Sequence, residues 1–395
     1  MSGIDEIIQR QRLLIAIGPG GVGKTTISAA IALRAAELGK RTLVLTIDPA
    51  KRLADALGLT GLDDRIREVS TTELERSGVA VPGELYAAMF DNATSMDSLM
   101  RRVAPDDETR DKVLCNRVYR AMAGTLARSH AYLAMERLHE VMNSGAYDLV
   151  ILDTPPARNA LDILDAPSRL ATFLEEGVVK WFVGQKRGRG LRARLMQSSG
   201  AAATKLFEVI VGKELAQETI SFFDAFSSMR QGFRDRAADI QAMLRAKDTS
   251  FVLVSSADAT HLADAEALAR GVSERGVRVD AAVFNRSYER LTHAAPLEIV
   301  AEAGELDSPT TIRLLFRDEL HRHEREVMTS LLESLHQVRV QAAASNRRAL
   351  DSVARLSKLL PDDALALIVA RLDGDIRDLA GLHALGPYLA TSRAG

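Results

Sequence analysis

The residues Gly18-Pro19-Gly20-Gly21-Val22-Gly23-Lys24-Thr25 fit the pattern G-x-x-x-x-G-K-[ST]. Glycines at this spacing let the backbone curl until successive N–H groups face one anion, and the lysine and hydroxyl add a cation and a hard oxygen ligand. The chemistry expected is binding of a nucleoside triphosphate by Gly18, Gly20, Gly21, Val22, Gly23, Lys24, Thr25 and Thr26. Lys24 would pair with the β- and γ-phosphates, and Thr25 would ligate Mg²⁺. A second candidate is Asp153, which closes the apolar run Leu149-Val150-Ile151-Leu152. A carboxylate at the end of a strand beside such a loop can hold Mg²⁺ through its water shell, so Thr25 and Asp153 form the expected metal set. The third is Asp48, in Thr46-Ile47-Asp48-Pro49-Ala50-Lys51-Arg52. It can act on the attacking water, or it can be the start of an Asx-Pro turn or a helix cap; the spacing alone favours the turn.

Placing these groups together requires strands that end side by side. Short apolar runs recur at Leu13–Ile17, Thr42–Ile47, Leu149–Asp153, Phe251–Ser255, Val279–Phe284 and Ala364–Val369. Continuous apolarity suits strands buried on both faces, as in a parallel sheet covered by helices. The first two runs flank a helix that starts at Thr25 and Thr26 and ends before Gly39, a βαβ unit. The fold class expected is α/β, a doubly wound and mainly parallel sheet of the P-loop NTPase type, with an α-helical subdomain formed by insertions. Residues 1–80, 140–165, 248–290 and 361–395 are assigned to the ATPase core, 81–139 and 166–247 to the helical insertions, and 291–360 to a C-terminal helical segment.

Composition narrows the classes. Among 395 residues, 51 Lys and Arg face 53 Asp and Glu, and 47% are apolar, which argues against disorder and against a nucleic-acid partner. Asp5, Glu6, Arg10 and Arg12 interrupt the pattern of a signal peptide, and no uncharged apolar run reaches about 18 residues, so a cytoplasmic chain is expected. The Phe and Met residues are unevenly spread. Phe222, Phe223, Phe226, Met229 and Phe233 fall on one helical face, and they suit either a groove for an apolar helix of a client or the core of the helical subdomain. The basic cluster Lys186, Arg187, Arg189, Arg192 and Arg194 beside Trp181 and Phe182 is read as a solvated loop, with peripheral contact to anionic lipid as the alternative.

Together these residues resemble the arsenite-pump ATPase (ArsA) family, within the deviant-Walker class that also holds the eukaryotic targeting ATPase for tail-anchored membrane proteins and the ParA/MinD proteins. The resemblance runs through the phosphate loop, through Ile47-Asp48-Pro49-Ala50 as switch I, and through Asp153-Thr154-Pro155-Pro156-Ala157-Arg158-Asn159-Ala160-Leu161-Asp162 as Walker B and switch II. The Asp-Thr-Pro-Pro stretch is similar to that of bacterial members. Phe284-Asn285-Arg286 resembles the place where the family's Asn hydrogen-bonds adenine, and Asp375-Ile376-Arg377-Asp378-Leu379 the loop that closes over the base. The resemblance implies Mg-ATP at a dimer interface, Asp48 acting on water, and hydrolysis coupled to opening and closing of helical subdomains around an apolar or membrane-protein client. An anion-transport-associated ATPase subunit, or a weakly hydrolysing ATP-binding partner of a paralogous ATPase, is the alternative.

Two departures qualify that implication. The class usually carries Lys as the second residue of the loop, reaching the partner's phosphates; here it is Pro19, and Asn159 stands where members often have His. Pro19 leaves three routes: slow hydrolysis, another cation such as Lys51, Arg52 or Arg158, or a heterodimer whose paralogous partner supplies the lysine. A homodimer or such a heterodimer is expected. Cys115 is the single cysteine, so neither a thiolate cluster for metalloids nor a Cys-x-x-Cys zinc clamp can form within one chain.

Overall fold

Apolar runs too short for helices become strands at the centre of the molecule. The computed structural model describes residues 3–47, 52–59, 61–90, 99–117, 119–120, 130–156, 161–167, 212–256, 258–287, 322–372, 376 and 378–390. Its sheet contains β1 (Leu13–Ile17), β2 (Arg41–Thr46), β3 (Arg67–Glu68), β4 (Glu84–Met89), β5 (Leu149–Asp153), β6 (Thr249–Ser255), β7 (Val279–Ser287) and β8 (Leu365–Ala370). The order is β3-β4-β2-β5-β1-β6-β7-β8, and every described pairing is parallel except the short antiparallel β3–β4 ladder. The α/β fold expected from the apolar runs is the one observed.

Alternate strand residues enter different layers, as the two-residue pleat requires. Leu14, Val44, Ile151, Val252 and Val283 pack with Ile4 and Ile8 of α1 (Ile4–Arg10), Ile27 and Ile31 of α2 (Lys24–Glu37), Leu53 of α3 (Arg52–Ala56) and Leu74 of α4 (Thr71–Arg76). Leu13, Ile15, Leu43, Leu152 and Phe251 enter the opposite layer. There they meet α5 (Asp107–Leu114), α6 (His130–Ser144), α7 (Lys213–Ser228), α8 (Arg230–Leu244), α9 (Ala259–Glu274) and the C-terminal end of α10 (Arg322–Ser357). The terminal helices α11 (Leu379–His383) and α12 (Gly386–Ala390) return to the α2 layer. Helices on both faces of a parallel sheet make the fold doubly wound.

One boundary differs from the expectation. Residues 81–139 do not begin as helix: β4 lies inside that stretch and pairs in register with β2, Thr42 opposite Leu85 and Thr46 opposite Met89. Glu-Leu-Tyr-Ala-Ala-Met is rich in good helix formers, and the pairing overrides that propensity. The described helices from both insertions share one apolar cluster with the sheet face. Phe222, Met229, Phe233 and Met135 are buried in it, which favours the core reading for these residues. The side chains of Phe223 and Phe226, and the basic cluster at 186–194, lie outside the described residues. Among the described residues no helix is long and apolar enough to cross a membrane.

Candidate functional site

The C-terminal ends of β1, β5 and β2 converge, because Ala16 and Thr46 are each in register with Asp153. Ligands of open parallel sheets bind beyond these ends, where connections leave in opposite directions. From β1 the chain passes through residues 18–23 into α2. A side chain at Gly18 would overlap the carbonyl oxygen of Val254 on β6, and one at Gly23, where φ is +93°, would overlap the Asn285 amide. Both positions therefore require glycine, Gly18 for close approach and Gly23 for approach and conformation. The turn delivers the N-terminus of a 14-residue helix, with its partial positive charge, to the mouth of the site.

Lys24 is buried, and its Nζ donates to the carbonyls of Gly18 at 3.1 Å and Pro19 at 2.8 Å. Its charge is thereby fixed within the turn. Thr25 Oγ1 donates to Asp153 Oδ2 at 2.7 Å, and Thr46 Oγ1 donates to the same oxygen at 3.0 Å. Asp153 is fully buried. The neighbouring Thr154 Oγ1 donates to the Ala16 carbonyl at 2.7 Å, tying the segment after β5 to β1. The Thr25 hydroxyl and Asp153 carboxylate are hard oxygen donors held against each other beside the lysine, a set that fits Mg²⁺.

These groups open on a cleft of about 1100 Å³. Its lining is divided. Gly21, Gly23, Lys24, Thr25, Thr26 and Thr154 form one part; Ala370, Leu372, Ile376 and Leu385 supply an apolar part. Arg52, Arg286 and Arg371 also line it, against the single described carboxylate Asp55. A cationic cleft with an apolar recess suits a polyanion joined to a flat apolar group.

Asn285 closes the side of β7. Its Nδ2 donates to the Val22 carbonyl at 2.8 Å and its Oδ1 accepts from the Arg286 N–H at 2.9 Å. Lys24, Thr25, Asp153 and Asn285 thus come together in space from three separated stretches of sequence. Asp48 lies outside the described residues, as do Lys51, Arg158 and Asn159. Its flanks are described: Ile47 N–H donates to the Asp153 carbonyl at 3.2 Å, and Arg52 lines the cleft.

The profile of the family described as "Anion-transporting ATPase" matches residues 11–294, which span the loop, both metal candidates and Asn285. The chain belongs to the anion-transporting ATPase family. Similar curated proteins include a "Putative arsenical pump-driving ATPase" of Prosthecochloris vibrioformis, 26% identical over 73% of this chain and 64% of the relative. An "ATPase get3" of Schizosaccharomyces japonicus is 24% identical over 87% of this chain and 90% of the relative. The alignments with the pump-driving relatives of Prosthecochloris vibrioformis and Chlorobaculum tepidum each take in 64% of the relative's length.

Within this family member, Thr46, Thr154 and Arg286 lie inside the quoted motifs without a role of their own and Arg371 lies outside them; the structure adds all four to the site. Thr46 is placed by register, since it sits opposite Asp153, and only a correct strand order reveals that. Arg371 is delivered by β8, whose end is held to β7 by Arg371 N–H donating to the Ser287 carbonyl at 2.7 Å. Arg52, one of the cations named as a replacement for the missing loop lysine, lines the cleft.

Proposed function

We propose that this chain is a Mg-ATP-dependent ATPase whose nucleotide cycle opens and closes a dimer, capturing and releasing an apolar client segment such as one from a membrane protein. The observation that carries the ATPase reading is the 2.7 Å contact between Thr25 Oγ1 and Asp153 Oδ2 at the mouth of the glycine turn. Lys24 and the loop amides hold the β- and γ-phosphates, and the N-terminus of α2 adds its partial charge. Thr25 and Asp153 hold Mg²⁺, which supplies charge neutralisation at the phosphates when bound. Asp48 takes the proton of the attacking water, and Asn285 serves the base side. Pro19 offers no charge to a partner subunit, so the isolated chain is expected to turn over slowly unless a paralogue, or Arg52 from its own α3, supplies the cation.

The client reading rests on the motif resemblance and on the breadth of the likeness to the get3 relative, which is not confined to the nucleotide site. The lone Cys115 argues against thiolate capture of a metalloid. Pro19 favours a second reading, in which the chain binds ATP and leaves turnover to a paralogous partner. Hydrolysis measured with the purified chain, alone and with added arsenite or antimonite, tests these readings. The proposal expects slow, Mg²⁺-dependent turnover that ignores the oxyanion. Oxyanion-stimulated turnover points to the transport role, and ATP binding without turnover to the partner role.

A further inference from the structure

Arg286 is the one described non-glycine residue in the left-handed region, with φ of +58°. An L-residue there costs roughly 1–2 kcal/mol, and such strain persists where the surroundings impose it and concentrates at functional sites. The imposing features are visible. The ladder between β7 and β8 shifts register between Phe284 and Ser287, and the Arg286 N–H is taken up by Asn285 Oδ1. In a regular strand successive side chains point to opposite faces, so Asn285 and Arg286 could not both reach the glycine turn. The irregularity re-aims one of them, as bulges beside sites do. Asn285 Nδ2 then donates to the Val22 carbonyl and Arg286 Nη1 donates to the Gly21 carbonyl at 3.3 Å.

The position of the guanidinium decides its partner. Lys24 holds the carbonyls of Gly18 and Pro19, the start of the turn, whereas Arg286 holds Gly21, its outer lip. Arg286 belongs to the lining that also contains Asn285, Ala370, Leu372, Ile376 and Leu385. A planar, weakly hydrated cation fixed by one edge in a cleft that apolar side chains also line is suited to stacking on a flat aromatic ring. Resting on the nucleotide reading above, we propose that Arg286 is a specificity-determining residue that stacks on the nucleobase and latches the base side of the cleft to the phosphate loop.

The test compares ATP with inorganic tripolyphosphate, which carries the phosphates without the base. The variant is Arg286→Gly, because glycine accepts the backbone conformation and removes only the side chain; an undiminished melting temperature checks that it folds. Calorimetric titration should show wild type binding ATP more tightly than tripolyphosphate. Arg286→Gly should weaken ATP binding about 3- to 30-fold, while tripolyphosphate binding changes less than about 2-fold. Equal weakening of both ligands makes Arg286 a phosphate cation and overturns the proposal, as does no weakening of either. Wild type binding neither ligand overturns the nucleotide reading itself, a result distinct from both.

Discussion

At the scale of single residues, the site is a set of side chains that hold one another and the glycine turn by short hydrogen bonds. Lys24 is the clearest case: its charge lies in the turn on two carbonyls, so Lys24→Ala should remove nucleotide binding, lowering affinity by more than about 100-fold in a calorimetric titration. Asp153→Asn keeps the shape and loses the charge that Thr25 and Thr46 both contact. It should raise the Mg²⁺ concentration needed for half-maximal turnover by about tenfold or more, readable from a Mg²⁺ titration of the hydrolysis rate. A simple drop in thermal stability with an unchanged Mg²⁺ requirement would make Asp153 structural. Lys24 and Thr25 were legible in the sequence because their motif fixes both type and spacing, and Asp153 because it closes an apolar run. Arg286 was not, since its reach depends on a strand irregularity and a positive φ that no local residue pattern announces.

Elements explain what the motifs could not. Six of the strands were visible as apolar runs buried on both faces, and β1, β2, β5 and β7 place the site. β4 stayed hidden because its residues favour helix, and β3 because two residues carry no period. The helical layer is held by a partly buried ion pair: Arg236 Nε on α8 donates to Oε2 of the buried Glu136 on α6 at 2.7 Å, while Tyr132 Oη donates to the other oxygen. Burial, the Glu136 charge and the hydrogen bond to it push the Tyr132 phenol up, so it stays a donor throughout the neutral range. Glu136 is 1% exposed, and Arg236→Ala would strand its carboxylate, with an expected loss of about 3 kcal/mol in denaturant unfolding. One turn along α6, burial, aided by Arg236, pushes the His139 imidazole down. The unfolded chain therefore binds more protons as pH falls below about 6.5, and stability should decline from there toward the lowered folded value. His139→Gln should flatten that slope between pH 7 and 5; an unchanged slope would place its origin elsewhere.

For the whole molecule, the proposed cycle requires a cleft at the C-terminal ends of the central strands to act on a helical layer on the sheet's face. The two are continuous: Leu152, next to the metal candidate Asp153, shares an apolar cluster with Tyr132, Phe222 and Phe233 of the inserted helices. Asp165 meets Arg275 through paired bonds of 2.7 and 2.8 Å, tying residues 161–167 to the end of α9. In the proposed cycle this packing would carry movement at the phosphates into the helical layer, and a dimer opening and closing with nucleotide is expected to change its scattering mass or radius when an ATP analogue is added. The account depends most on Asp48, which the sequence places after β2 and the resemblance makes the base. The most direct measurement is steady-state ATP hydrolysis by Asp48→Asn beside wild type, with ATP affinity taken from the same preparations. Affinity should stay within about threefold while turnover falls by at least about 100-fold. Unchanged turnover in the variant would contradict the assignment.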